Sequence, residues 1–256
     1  MAGSALLTPA LVLGSLRYGE TSRIVRLATR DFGVVSAIAK GALRPKSRFG
    51  ASLQLLSEGQ AHLLQSRSSE LHTLIAFDLT AVHTGLAGSL ERFAAANALA
   101  ELATRFVPAA ANPMLYEWLL GAIGLLELAP ADAVSVVGLR AMWGVMAQLG
   151  IAPTLTECSR DGQALEEGPV GFSLRDGGFL CRTCAVSGAT TRLAAEDREA
   201  LVALIEPGRE LPLLSPAQAA AHRRLLLRWI REHLGGDGAF PALEAWQRGA
   251  PGSVSA

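Results

Sequence analysis

The sequence predicts an α+β chain of more than one domain: an N-terminal OB-fold β-barrel, followed by an α-helical domain with a small cysteine-bearing insert. Three observations lead there. Before about residue 80, five segments of strand length are separated by turn residues. After Asp78 the apolar residues recur at helical spacing. All three cysteines lie between residues 154 and 189, where glycines and acidic residues interrupt that rhythm. The expected boundaries are 1–80 for the barrel, 81–238 for the helical domain with its insert at about 154–189, and 239–256 for a loose tail.

The strands, in order, are residues 11–17, 23–29, 33–40, 58–65 and 71–77. Tyr18-Gly-Glu and Asp31-Phe-Gly33 supply residues suited to tight connections. Alternation is not strict in Arg23-Ile-Val-Arg-Leu-Ala, so closure into a barrel is inferred from the number and length of the strands. The loop at 42–50 is basic and contains Pro45, so it cannot continue a central strand and is expected to stand out from the sheet.

In the helical part, Leu86, Leu90, Phe93 and Asn97 define one face of a helix running to about Phe106. Leu115, Leu119, Ile123 and Leu126 define a second, ended by Ala129-Pro130, and Leu139, Met142, Trp143 and Met146 form the core stripe of a third. Gly171-Phe-Ser and Asp176-Gly-Gly-Phe suggest a hairpin. Helices return at about 194–205 and 216–234, the latter capped by Ser215 with Pro216 at its first position and lined by Arg223, Arg224, Arg228 and Arg231.

With 23 basic and 23 acidic residues the net charge is zero, which argues against indiscriminate coating of nucleic acid. The charge is unevenly placed. Arg17, Arg23, Arg26, Arg30, Lys40, Arg44, Lys46 and Arg48 crowd one stretch that holds only Glu20 and Asp31 in return. Such a local excess suits a phosphate-binding surface; the alternative is an ordinary solvated face. No basic head precedes an apolar segment at the N-terminus, and the longest apolar run, Trp118 to Leu126, is too short to span a bilayer, so a cytoplasmic protein is expected.

Cys181-Arg-Thr-Cys184 has the spacing of half a zinc knuckle, and Cys158-Ser-Arg-Asp161 has the register of the other half with aspartate in its last place. A site of Cys158, Asp161, Cys181 and Cys184 is chemically permissible, since zinc accepts carboxylate oxygen. Thiolate and imidazole are its usual structural ligands, which favours a degenerate site that is empty or holds zinc weakly. A redox dithiol is the third reading. No phosphate-loop, nucleophile-elbow, HExxH or dinucleotide signature is present, and His62, His72, His83, His222 and His233 are scattered, so a binding protein is expected over an enzyme.

The segments Tyr18-Gly-Glu-Thr-Ser-Arg-Ile-Val, Ala39-Lys-Gly-Ala, Arg44-Pro-Lys-Ser-Arg-Phe-Gly, Leu149-Gly-Ile-Ala-Pro-Thr-Leu-Thr-Glu-Cys, Gly177-Gly-Phe-Leu-Cys-Arg-Thr-Cys and Leu225-Leu-Leu-Arg-Trp-Ile-Arg-Glu-His-Leu-Gly resemble, in order and spacing, the RecO family of recombination mediators. The resemblance implies an OB barrel, a helical domain and a zinc-binding insert. It also implies binding of single- and double-stranded DNA, strand annealing, and, with RecR, help in loading RecA onto strands covered by single-strand-binding protein, whose acidic tail would dock on the helical domain near Arg105, Arg140 or the last helix. Asp161 stands where metal-binding members have a cysteine. On this reading Lys40, Arg44, Lys46 and Arg48, with Arg17, Arg23 and Arg26, hold phosphates, near the nucleoid. The alternative is an OB scaffold that docks proteins without touching DNA.

Overall fold

The computed structural model describes residues 4–66, 68–186, 190–235 and 238–249. The chain divides into two compact units, Met1–Ala129 and Pro130–Ala256.

In the first unit β1 (Ala5–Tyr18), β2 (Ser22–Thr29), β3 (Gly33–Ala39), β4 (Glu58–Leu64) and β5 (Leu71–Ala81) close a barrel in the order β1-β2-β3-β5-β4. Only β3 and β5 run parallel, at Ser36–Ile38 against Leu71–Thr73. The long first strand serves both neighbours: Ala5 to Leu11 pair with β4, Ala10 to Tyr18 pair with β2, and an irregularity between Val12 and Gly14 turns the strand from one to the other. It begins at Ala5 rather than 11, because Pro9 is accommodated. Pro9 stays in register with Gln60, and its carbonyl accepts from the Arg30 backbone at 3.1 Å. Val12, Val25, Leu27, Val35, Ala37, Ala39, Ala61, Leu63 and Leu74 fill the interior.

The basic loop does not stand out from the sheet. Between Gly41 and Ser52 it winds through successive i to i+3 turns, with the amides of Arg44, Ser47, Gly50 and Ser52 donating to Gly41, Arg44, Ser47 and Phe49. Those turns bring Phe49 and Leu53 to one side, and both join the barrel core. Leu43 N donates to Thr21 O at 2.9 Å and Leu56 N to Val12 O at 2.7 Å, which ties the loop down at both ends. It is a plug, with Arg44, Lys46 and Arg48 exposed and Phe49 and Leu53 buried.

After a 3-10 turn at Thr84–Gly88 come α1 (Leu90–Phe106) and α2 (Pro113–Leu128). Ser89 caps α1 by accepting from Arg92 N, and Asn112 caps α2 by accepting from Leu115 N. The expected face of α1 is corrected: Leu90 and Phe93 are 60% and 47% exposed. Ala95, Ala96, Leu99, Leu102 and Ala103 are buried instead, a stripe at the same spacing built mainly of small residues. Leu115, Leu119, Ile123 and Leu126 of α2 are buried, as the spacing predicts.

In the second unit α3 (Val134–Gln148) is followed by β6 (Val170–Ser173), β7 (Gly178–Leu180), the one-turn α4 (Arg182–Ala185) and β8 (Thr191–Leu193). Then come α5 (Ala195–Ile205), α6 (Pro216–Leu234) and α7 (Pro241–Arg248). The three short strands form a sheet in the order β7-β6-β8. Trp229 of α6 joins helices to sheet: its ring lies 6.0 Å from Trp143 and 5.6 Å from Phe172 between centroids, and its Nε1 donates to Ile151 O at 2.9 Å. Ser215 and Gln218 form a reciprocal capping box at the start of α6. Where a loose tail is expected from 239, α7 forms and buries Leu243 and Trp246; residues 250–256 of that tail, and 187–189 at the end of the insert, lie outside the described residues.

Candidate nucleic-acid interface and metal centre

Strand register gathers the basic residues at one end of the barrel. Arg17 pairs with Arg23 across β1 and β2, Arg23 pairs with Ala39 across β2 and β3, and Lys40 follows directly. Cross-strand partners share a face. Arg17 and Arg23 therefore lie on the side of Val25 and Leu27, at the hairpin end, where Arg23 donates to Ser15 Oγ at 3.0 Å and borders Ala42, Leu53 and Gln54 of the plug. Arg44, Lys46 and Arg48 are exposed on that plug, and Arg48 lies 5.2 Å over the anchored Phe49 ring. Among the described residues no carboxylate lies within ion-pair distance of Arg17, Arg23, Lys40, Arg44, Lys46 or Arg48. Their charge is presented to solvent.

Arg26 stands apart from this rim. Its guanidinium bonds Ser36 Oγ and, at 3.2 Å, the carbonyl of Thr104, so it ties β2 and β3 to α1. Arg30 is likewise engaged, with Glu117 at 3.3 Å.

In the second unit, two turns converge on one point. The ligand atoms of Cys158, Asp161, Cys181 and Cys184 all lie within 4.8 Å of one another. Asp161 Oδ2 is 3.1 Å from Cys184 Sγ and 3.6 Å from Cys181 Sγ. Tetrahedral zinc with thiolate arms of about 2.3 Å needs ligand atoms roughly 3.8 Å apart, so the four donors suit that ion. The turns are built for it. Gly162 N donates to Cys158 O at 2.8 Å, closing the first knuckle, and Cys181 caps the one-turn helix α4 that carries Cys184. Asp161 Oδ1 accepts from Gln163 N at 3.1 Å, which aims Oδ2 at the sulfurs. Arg160 forks onto Asp176 at 2.8 and 3.1 Å and donates to Cys184 O, bracing the two turns together.

The electrostatics match a ligand set. Hydrogen bonds from Cys158 and Cys184 hold the Asp161 carboxyl down at about 2, while that same carboxylate pushes the Cys184 thiol up to about 12. Burial raises the Cys158 thiol, but backbone N–H groups of Cys181, Arg160 and Asp161 outweigh it, so the pKa is lowered. With no cation, the Cys184 thiol keeps its proton and donates it to the Asp161 carboxylate. A metal ion displaces it. The structure thus brings together the four donors that the sequence reading names as one possible site.

The family model described as "Recombination protein O N terminal" matches residues 1–82, and that described as "Recombination protein O C terminal" matches residues 87–239. The chain belongs to the RecO family. It is 35% identical over 232 residues to the DNA repair protein RecO of Anaeromyxobacter dehalogenans, covering 88% of this chain and 90% of that one. To the DNA repair protein RecO of Nocardioides sp. it is 33% identical over 216 residues, covering 82% and 85%. As a RecO family DNA repair protein, it carries a basic barrel rim and a four-donor cluster on separate units. Among the described residues no helix is long and apolar enough to cross a membrane.

The cations singled out for protein docking in this RecO chain are mostly engaged. Arg140 donates to the carbonyls of Ala203, Arg209 and Glu210, Arg105 pairs with Glu101, Arg223 is buried against Ser135 and Trp246, and Arg231 pairs with Glu244 at 2.7 Å. Arg224 and Arg228 are exposed. Sequence reading also passed over the outward face of β1 to β3, where Leu16, Ile24 and Ile38 align; the signal was the alternation of these apolar residues with the core positions.

Proposed function

We propose that this RecO family protein binds single- and double-stranded DNA on the basic rim and anneals complementary strands, and that with RecR it helps load RecA onto strands covered by single-strand-binding protein. The observation that carries this is the grouping of Arg17, Arg23, Lys40, Arg44, Lys46 and Arg48 about one barrel end, with no carboxylate within ion-pair distance of them among the described residues. Phosphates supply the missing anions, and released counterions supply much of the free energy. Two strands that repel one another in solution share one cationic surface, and base pairing then drives annealing. No bond is made or broken, which is why the reading is of a mediator without catalysis.

The plug gives the rim its stiffness. Because Phe49 and Leu53 are held in the core, the exposed cations just before them, Arg44, Lys46 and Arg48, lose little freedom on binding. Arg26 contributes least to the proposed interface, since two of its five N–H donors are engaged by Ser36 and Thr104. In the second unit, zinc held by Cys158, Asp161, Cys181 and Cys184 would cross-link the two turns as a structural ion. The acidic tail of single-strand-binding protein finds exposed cations on α6 at Arg224 and Arg228.

The test is a charge-neutral triple change, Arg44→Gln, Lys46→Gln and Arg48→Gln, followed in strand-annealing and salt-dependent binding assays. Each lost single-strand contact lowers the log-log salt slope by about 0.7, so the triple variant loses about 2. Annealing should slow in step. Unchanged slope and annealing rate would refute the assignment.

A further inference from the structure

Helix α2 carries two apolar stripes, and the first unit buries one of them in its core. Leu115, Leu119, Ala122, Ile123 and Leu126 make up the buried stripe. Met114, Trp118, Gly121, Leu125 and Leu128 form the other, recurring at intervals of four, three, four and three residues, which is the period of a helix-to-helix seam. Met114, Leu125 and Leu128 are 72%, 61% and 83% exposed; Gly121 is exposed and Trp118 half-buried. Single exposed leucines are ordinary on a protein surface, but a periodic apolar seam roughly 21 Å long is not. No charge interrupts it. The helix carries two charged side chains, Glu117 and Glu127, and each is met within its own unit, Glu117 by Arg30 at 3.3 Å and Glu127 by His83 at 2.6 Å. These contacts also place α2 at the end of the barrel away from the basic rim. Arg30 follows β2 at the opposite end from Arg23, and His83 also holds Glu58, whose strand partner Leu11 pairs with Ala28 near that same end.

The seam is complementary to itself. Gly121 is its midpoint, with Met114 seven residues before and Leu128 seven after, and a Cβ built on Gly121 would meet nothing within 4 Å. A two-fold axis through Gly121 lets two backbones approach closely. It sets Met114 of each copy against Leu128 of the other and Trp118 beside Leu125, so each side chain is used twice. The net charge of zero raises no repulsion between copies, and both glutamates of the helix are already neutralised by their own partners. We propose that α2 is a homodimer interface, crossing its copy in antiparallel fashion at Gly121. The seam is smaller than the ~800 Å² per partner of a standard interface, so the dimer dissociates in the micromolar range. Because α2 lies at the barrel end away from the rim, dimerisation leaves both rims uncovered. On the reading of the rim as a DNA surface, one particle then holds two strands, one on each copy; the dimer itself does not rest on that reading.

The test is sedimentation velocity of the full chain at about 1–100 µM, the range in which a face of this size dissociates. The mass should rise from one chain towards two. Leu125→Glu and Leu128→Glu are exposed changes, and a two-fold axis brings each new charge in from both copies. Either should raise the dissociation constant at least about tenfold, with melting temperature and the salt slope of DNA binding unchanged. Gly121→Cys should cross-link to its own copy with oxidised glutathione, whereas Leu128→Cys should do so only when mixed with Met114→Cys. Wild type under the same conditions reports any link through the native cysteines. A wild type that stays monomeric throughout overturns the proposal. So does a dimer that neither glutamate variant weakens, since the copies then meet elsewhere. If the chain is monomeric yet binds an anilinonaphthalene dye that both variants fail to bind, the face serves a different protein and self-association is refuted. A dimer that binds no DNA leaves the interface standing and refutes the rim alone.

Discussion

His83 contacts two carboxylates at once: its Nε2 lies 2.6 Å from Glu58 on β4 and its Nδ1 lies 2.6 Å from Glu127 on α2. A neutral imidazole has only one N–H, so both contacts are hydrogen bonds only when the ring is protonated. Glu127 also accepts from Gly85 N at 2.8 Å, and Arg92 of α1 lies close enough to favour its charged form. Tyr116 adds a neutral phenol beside Glu58, its ionisation pushed up mainly by burial. This group of charges fastens the barrel to α2 within the first unit.

Stability should therefore depend on pH. Burial alone would lower the His83 pKa, but the bonds to Glu127 and Glu58 outweigh it and the pKa is raised above 6.5. Its contribution is then complete below pH 6.5 and is lost as pH rises through the raised value. Glu127, burial notwithstanding, is lowered below 4.5 by His83 and Gly85, so its contribution is present above that pH and lost in more acidic solution. Wild type should melt at highest temperature in the interval between, and His83→Asn should lose about 2–3 kcal/mol there and little once the pH has passed the raised His83 pKa. Thermal melts across that range check this. A parallel pH profile in the variant would show that the triad does not set it.

Asp161 should limit how tightly metal is held. Carboxylate is a weaker zinc ligand than thiolate in a closed structural site, so Asp161→Cys should raise zinc affinity by at least tenfold, and Asp161→Ala should lower it. Chelator competition on protein purified without chelating agents gives the constants. Asp161→Cys that gains no affinity would mean the four donors do not act as one site.

Arg26 and Arg44 are both cationic in sequence and should behave oppositely. Arg26→Ala removes bonds to Ser36 and the Thr104 carbonyl and should cost about 1–2 kcal/mol of stability, leaving the salt slope of DNA binding unchanged. Arg44→Ala should leave stability unchanged and lower the slope by about 0.7 for single strands. Denaturant unfolding and anisotropy titrations on the same preparations separate the two.

Sequence legibility followed the physics of each element. The strands from Ser22 onward were readable because turn residues bound them, whereas β1 was cut short by Pro9, whose pairing depends on β4 from far along the chain. The face of α1 was misplaced because the large residues Leu90 and Phe93 outweigh alanines in any size-based reading, yet alanines line the buried stripe. The plug was taken for a projecting loop because its core contacts rest on two residues, Phe49 and Leu53, set among charges. The metal cluster was legible as one set of four donors, Cys158, Asp161, Cys181 and Cys184, because each pair has knuckle spacing, and the structure brings the pairs together. That convergence depends on the β6–β7 hairpin bringing Cys181 and Cys184 back to Cys158.

The last helix offers a test of packing against hydrogen bonding. Trp246 on α7 is 1% exposed, lies under the Arg223 guanidinium at 5.6 Å, and has a buried Nε1 with no hydrogen-bond partner among the described residues. Its contribution must come from area and ring contact, since the indole N–H is desolvated without return. Trp246→Ala removes that area and leaves a cavity, so the second unit should lose about 3–5 kcal/mol. Trp246→Phe keeps a ring under Arg223 and removes the orphaned N–H, so part of the lost packing is offset and the cost should stay below about 1.5 kcal/mol. Urea unfolding of the two variants decides it. Equal losses would mean that the indole nitrogen bonds a water or a neighbour that balances its burial, and that α7 is held by a polar contact as much as by the ring.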